Sequence, residues 1–318
     1  MGKSKLLHSL KVIALAAIAT GMLAGCSDQY IVLKPQGPVA QTEYNLIMLS
    51  VYLCAIVVIP VLALTAWIVY RYRDVPGNKA PYMPNWHDSK ILEIVWWGIP
   101  IVIIGTLGFF TVRDTFTLTK PPVQDVKPIT IQVTSLDWKW LFQYPDQKIA
   151  TVNYAEIPAG VPVQFVLTSD APMNSFWVPS LGGQEYTMPG MAMRLWLQAD
   201  KPGEYFGSGA NFSGEGFAHM QFKVVAKPQA EFNNWVQDVK KTNNPLTKEG
   251  YADLVKPGVV NQPITFSSLP EGLFDEVVDK NGGKYFRHTM DMDDSTKHEM
   301  SNMDQNSSKK EMSMNMGH

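Results

Sequence analysis

The chain has 318 residues, with 27 Lys and Arg against 29 Asp and Glu and a formal net charge of −2. That balance provides no cationic surface for a phosphate backbone, which sets nucleic-acid binding aside. Charged residues make up only 18% of the chain and apolar ones 46%. So few charges are unusual in a soluble protein, and the length allows one or two domains with a sizeable core.

The N-terminus reads as a targeting segment. Lys3, Lys5 and Lys11 precede an apolar run at 12–19, and "LAGC" closes it at Cys26. A basic start, an apolar middle and a small-residue end are the layout of a secretory signal. The final cysteine makes it resemble a bacterial lipoprotein signal, which implies removal of residues 1–25 and acylation (palmitate) of Cys26. The plainer alternative is an ordinary signal with a chance cysteine. The chain has 2 cysteines; with Cys26 lipidated only Cys54 is left, so no disulfide can form within the chain. Cys54 lies in an apolar stretch and is expected to be a small buried hydrophobe.

After a short outer segment, 26–42, no charge occurs between Glu43 and Arg71: "YNLIMLSVYLCAIVVIPVLALTAWIVY". As a helix this stretch would be roughly 40 Å long, enough to cross a bilayer with some tilt. A second uncharged run, "IVWWGIPIVIIGTLGFFTV", is about the minimum for a span. Two antiparallel transmembrane helices are therefore expected, at 43–72 and 91–114. Each contains a proline, Pro60 or Pro100, which membrane helices tolerate. Trp67, Tyr70, Trp96 and Trp97 would form an aromatic belt at one interface. The connecting loop, 73–90, and its borders carry Arg71, Arg73, Lys79 and Lys90. The positive-inside rule puts that loop in the cytoplasm and both outer ends in the periplasm.

Residues 115–228 change character. "PITIQVTSLDWKWLFQYP", "VPVQFVLTSD", "AMRLWLQADKPGEYFGSG" and "FAHMQFKVVA" are short β-branched and aromatic runs separated by Pro, Gly and Asp. This spacing predicts an all-β sandwich or barrel. Residues 229–286 read as a helical extension. Phe232, Trp235, Val236 and Val239 share one face, and a second helix starts at a Thr cap in "TKEGYADLVKPG" and stops at Pro-Gly. The tail, 287–318, is polar and repetitive with many Met and His, and its composition predicts disorder.

A signal segment, two spans and an outer β-domain are the layout of subunit II of the haem–copper oxidases, and local sequence strengthens the likeness. "DWKWLFQYP" resembles the aromatic segment that opens that family's outer domain. "MNSFWVPSLGGQEYTMPGM" resembles the strand with its first copper ligand, and "PGEYFGSGANFSGEGFAHMQF" the loop with the rest. The resemblance spans about 41–226 and implies a cupredoxin-like Greek-key sandwich. Copper-bearing members hold a dinuclear centre with two Cys, two His, a Met and a Glu carbonyl. Laid onto this chain, the first His falls on Asn174 and the two Cys on Gly209 and Ser213. The Glu falls on Asn211, the second His on Phe217, and only the Met is kept, as Met220. Soft thiolate and imidazole ligands suit copper, and this set lacks both, so no metal is expected in this chain. His219 with Met220 would not replace the set, because adjacent residues point to opposite faces.

The likeness is then to the quinol-oxidising, cytochrome bo-type branch. It implies a non-redox subunit II of a proton-pumping terminal oxidase, an enzyme subunit of the aerobic respiratory chain in the bacterial inner membrane. No cofactor would be bound by this chain; haems, one copper and ubiquinol would belong to subunit I. Partners would be subunit I, further small membrane subunits and lipid, with neither cytochrome c nor nucleic acid. Glu93, at the cytoplasmic start of the second span, matches the family's acid at the mouth of a proton channel into subunit I. A carboxylate that merely faces headgroup water is the plainer reading of its position. Trp138 and Trp140 are expected to pack against subunit I, and Arg113 with Asp114 to anchor that interface. A reading from another class is a lipid-anchored copper-binding or chaperone protein acting through its tail. Met290, Met292, Met300, Met303, Met312, Met314 and Met316, with His288, His298 and His318, would supply ligands for Cu(I).

Overall fold

The computed structural model describes residues 30–81 and 83–283. Cys26, with its expected acyl group, and the tail at 287–318, for which disorder is the expectation and copper capture the alternative reading, lie outside them. The chain divides into two compact units, Met1–Asp114 with Pro179–Gly182 and Thr115–Val178 with Gly183–His318.

The first unit is built on α1 (Pro38–Arg71) and on α2 (Lys90–Leu118) up to Asp114. Helix α1 begins ahead of Glu43 because Gly37 caps it and Pro38 fills the first position, where no N–H is needed. The Gln36 N–H donates to the Ser180 carbonyl at 2.8 Å and the Ala40 N–H to the Leu181 carbonyl at 3.1 Å. Donors at the helix start are thus satisfied by a returning segment. At the other end, α2 runs through Arg113 and Asp114 to Leu118, since loss of hydropathy does not interrupt a hydrogen-bond ladder.

Both helices are long and apolar enough to cross a membrane, and neither apolar stretch is buried inside the chain. Ile59, Leu62, Trp67, Ile104 and Phe109 all stand exposed. Hydroxyls turn back onto their own helix: Ser50 donates to the Leu46 carbonyl at 2.9 Å, Thr65 to Val61 at 2.7 Å and Thr106 to Val102 at 2.8 Å. This is the satisfaction that hydrocarbon surroundings require. Leu46, Ser50, Cys54 and Val58 of α1 share a groove with Leu107 and Thr111 of α2, so the start of one helix lies beside the end of the other. Cys54 corrects its expectation: it is exposed in this groove, because the helix pair leaves that face uncovered.

The second unit is a sandwich of two sheets. Its strands are β1 (Ile129–Leu136), β2 (Lys139–Tyr144), β3 (Ile149–Val152), β4 (Tyr154–Pro158), β5 (Val163–Ser169), β6 (Asn174–Trp177), β7 (Glu185–Thr187), β8 (Met193–Leu197), β9 (Gly203–Gly209), β10 (Gln221–Lys227) and, after two helices, β11 (Ile264–Phe266). The larger sheet has the order β11-β3-β2-β1-β5-β8 and the smaller β4-β10-β9-β6-β7. Pairing is antiparallel except for β1 with β5 and β4 with β10. Aromatic rings fill the space between the sheets: Phe176 stacks on Phe222 at 4.9 Å, with Trp140 5.5 Å and Phe165 5.1 Å from Phe176.

Trp140 is therefore a core residue with 0% exposure, which corrects its expected place against subunit I. Alternation along β2 sends Trp140, Phe142 and Tyr144 inward, yet every residue of that strand is buried. Its other face is covered by the C-terminal extension, consisting of α3 (Gln229–Lys241), α4 (Lys248–Val255) and α5 (Leu273–Lys280). Leu136, Leu141 and Val152 there meet Leu246, Tyr251, Leu273 and Val277 in a second apolar core. Helix α4 starts as expected at Thr247, whose hydroxyl accepts from the Gly250 N–H at 3.0 Å.

Candidate functional site

The strand and loop that resemble the copper-bearing elements converge at one end of the sandwich. The start of β6 supplies Asn174, the end of β9 supplies Gly209, and the segment leading to β10 supplies Asn211, Ser213, Phe217 and Met220. Asn174 lies at the centre with 0% exposure. Its Nδ2 donates to Ser213 Oγ at 2.9 Å and to Met220 Sδ at 3.0 Å. Its Oδ1 accepts from the Ser175 N–H at 2.7 Å and the Asn211 N–H at 3.4 Å. The Ser213 hydroxyl also reaches Met220 Sδ, at 3.5 Å.

Every polar atom in this cluster is thus engaged by another. The glycine at 209 makes room for the amide, since a Cβ there would lie 2.9 Å from Asn174 Oδ1 and 3.1 Å from Nδ2. Asn211 turns its own amide to the Met173 carbonyl at 3.1 Å. Phe217 brings no ligand atom and packs on Phe212, with ring centroids 5.7 Å apart. A neutral amide, a hydroxyl and one thioether do not fit a dinuclear copper centre, which needs bridging thiolates and imidazole. Among the described residues, no group of three or more His, Cys, Asp or Glu is arranged to hold a metal ion. His219 ends a short 3-10 turn, Phe217–His219, and is exposed, whereas Met220 beside it is buried.

The loop is held from one side by Trp138. Its indole Nε1 donates to the Ser213 carbonyl at 2.9 Å, and its ring lies against Gly214 and Gly216. A Cβ on Gly216 would come within 2.4 Å of that ring, so glycine is required for this close approach. Trp138 is positioned in turn by a buried lysine. Lys139 Nζ donates to the carbonyls of Asp137 at 2.8 Å, Leu254 at 2.9 Å and Lys256 at 2.8 Å. Burial pulls the Lys139 pKa down, partly offset by Asp137. The extension is thereby stitched to the turn that supports the loop. Nothing in the sequence marked Lys139, because two of its three acceptors are main-chain carbonyls more than a hundred residues away.

Glu93 occupies the first turn of α2, where an acid is favoured by the helix dipole. It is exposed and lines a recess of about 270 Å³ with Trp86, His87, Asp88, Ser89 and Trp96. Sequence reading singled out Glu93 but passed over His87 and Asp88, although "NWHDSK" places both within six residues of it. Near the other end of α2, Arg113 Nε donates to Asp114 Oδ1 at 2.7 Å, and its guanidinium lies 4.7 Å from the Phe110 ring centroid.

Two family models match the second unit. One describes the periplasmic domain of cytochrome c oxidase subunit II and covers residues 147–227; the other, the COX aromatic-rich motif, covers 240–284. The chain is 50% identical over 248 residues to quinol oxidase subunit 2 of Bacillus cereus, covering 77% of this chain and 85% of that one. It is 44% identical over 265 residues to cytochrome bo(3) ubiquinol oxidase subunit 2 of Pseudomonas putida, covering 82% and 83%. Identity to ubiquinol oxidase subunit 2 of Acetobacter aceti is 39% over 300 residues, covering 92% and 94%. With two apolar helices, a β-sandwich and relatives of 39–50% identity over most of its length, the chain belongs to the subunit II family of haem–copper quinol oxidases.

Proposed function

We propose that this chain is the non-redox subunit II of a proton-pumping terminal oxidase that oxidises ubiquinol and reduces oxygen to water. The observation that carries this reading is the Asn174–Ser213–Met220 cluster, whose polar atoms are all engaged by one another and by neighbouring main-chain N–H groups. A loop with that donor set has no group able to change oxidation state at physiological potentials. Electrons then reach the haems from a lipid-soluble donor inside the membrane, and neither cytochrome c nor copper acts through this chain. The haems, the catalytic copper and the quinol contacts belong to subunit I. This chain contributes the helix pair that docks on subunit I and a periplasmic domain that supports its assembly. The 73–90 loop faces the cytoplasm, the sandwich faces the periplasm, and acylation at Cys26 adds to an anchor the two spans already provide.

Glu93 gathers protons from the cytoplasm for the oxygen-reducing site. It stands at the start of an apolar helix long enough to cross a membrane, in a recess it shares with a second carboxylate, Asp88, and an imidazole, His87. Replacing Glu93 by Ala in the assembled oxidase should lower turnover about tenfold or more with the haem spectrum intact. Unchanged turnover and pumping would remove the role. For the reading as a whole, affinity purification of the tagged chain should bring down haem-bearing subunits with quinol oxidase activity. A haem-free monomer would overturn it.

A further inference from the structure

Leu46, Ser50, Cys54 and Val58 recur every four residues along α1 and so share one face. With Leu107 and Thr111 of α2 this face forms a groove of about 630 Å³. The groove offers no polar group to an occupant. The Ser50 hydroxyl is held by the Leu46 carbonyl at 2.9 Å, and Thr111 is engaged as well. From Leu46 to Val58 the groove follows the helix for about 18 Å at 1.5 Å per residue, close to the roughly 15 Å of hydrocarbon in one leaflet. Its outer end, at Leu46 and Thr111, lies just inside Glu43 and Arg113, the charges that bound the two apolar runs. In the topology proposed above, that end is the periplasmic one.

The chain reaches α1 from the same end. Tyr30, Ile31 and Leu33 are exposed apolar residues ahead of the helix, and a 3-10 turn, Ile31–Leu33, touches α1. Gln36 and Ala40 are pinned by the carbonyls of Ser180 and Leu181, which fixes this approach. Cys26 stands four residues before Tyr30, within about 14 Å of it even when the chain is fully extended. Two spans already hold the protein in a bilayer, so as an anchor a lipid adds little. We propose that an acyl chain on Cys26 lies in this groove and packs the helix pair. This rests on the acylation proposed above and assigns the lipid a role. Inside hydrocarbon the attraction is packing rather than the hydrophobic effect, and a saturated chain supplies dispersion contacts along a wall that has none. A phospholipid suits the mouth less. Its phosphate would meet Glu43, one turn above Leu46, and an Arg113 whose Nε is already bound to Asp114 at 2.7 Å. The glyceryl thioether of a lipoprotein carries no charge.

The test uses the assembled oxidase in membranes of cells fed a palmitate analogue that carries a diazirine and an alkyne. After illumination, mass spectrometry should find the Cys26 lipopeptide joined through the fatty acid to peptides covering residues 46–59 or 107–111. The bridge to Cys26 separates this lipid from labelled phospholipid, which would mark the same peptides without it. Cys54→Trp should fill the groove, and these cross-links should be lost. Ser50→Leu, a smaller filler, serves if the first variant fails to assemble. Cross-links from the Cys26 lipid to another subunit alone would overturn the proposal, as would marking of the groove by phospholipid alone. Cross-links that persist in the variants would overturn it too. Absence of label at Cys26 would remove the acylation together with the proposal. None of these outcomes touches the quinol-oxidase reading, which co-purification of haem-bearing subunits decides.

Discussion

Gly209 and Asn174 show how a side-chain amide fills the space beside a glycine. Where the resemblance would put two thiolates and an imidazole stand Gly209, Ser213 and Phe217, and Asn174 enters the space that Gly209 leaves free. Adding only a methyl at 209 should push the amide off both Ser213 and Met220. Gly209→Ala is expected to cost about 1–3 kcal/mol through overpacking, read as a lowered Tm by calorimetry. Because the clash is with one side chain, Asn174→Ala in the same chain should recover part of that loss, a coupling that a double-mutant cycle measures. Strict additivity of the two changes would show that the amide does not fill the pocket as described. From the sequence it was legible that Gly209 and Phe217 bring no ligand atom and Ser213 only a hydroxyl, since ligand chemistry is a property of residue type. What fills the space was not legible, because Asn174 and Ser213 are far apart in the chain and meet only when β6 lies beside the loop.

Among the elements, the two long helices were the easiest to read and the C-terminal extension the hardest. A charge-free run marks locally a helix able to cross a membrane, and only the helix ends differ from the expected bounds, at a cap on Gly37 and beyond Asp114. The extension could be seen as amphipathic helices, yet not which surface they cover. Their placement makes β2 buried on both faces and turns Trp140 from an expected interface residue into core. Asp170 fastens this extension. It accepts from Tyr251 Oη at 2.9 Å, Lys280 Nζ at 2.9 Å and Asn281 Nδ2 at 3.1 Å, with its side chain only 3% exposed. Asp170→Ala should therefore loosen α4 and α5 while leaving the sandwich intact, at a cost of about 2–4 kcal/mol. Hydrogen exchange should then rise across residues 246–283 and stay slow in β1, β2 and β5. A uniform rise would mean that extension and sandwich unfold as one unit.

For the whole molecule, packing of the extension on the sandwich sets how stability responds to alkali. Burial raises the phenol pKa of Tyr144, Tyr154 and Tyr251, and the nearby carboxylates Glu156 and Asp170 add to it. Tyr144 and Tyr154 sit under Trp235 of α3, with ring centroids 5.6 and 6.3 Å away, and Tyr251 belongs to α4. A folded-state pKa above the unfolded value, about 10 for tyrosine, contributes stability that is fully present below that pH and is lost as pH rises beyond it. The outer domain should accordingly be insensitive to these groups near neutrality and weaken progressively above about pH 10. Tyrosinate absorbance should show an exposed set titrating first and a buried set appearing only with unfolding. Ionisation of all tyrosines before any loss of structure would contradict this arrangement.

The sequence by itself determined two helices apolar enough to cross a membrane, a β-rich domain after them, and a loop between β9 and β10 that carries no thiolate. Hydropathy, alternation and residue type are carried within a few neighbouring positions, so spans, strands and missing thiolates need no fold to be seen. Tertiary structure alone decided that an amide fills the space beside Gly209 and that Lys139 ties the extension to Trp138. Each of these joins residues distant in the chain through hydrogen bonds and close contacts, and such contacts exist only once the sheets and the extension have packed.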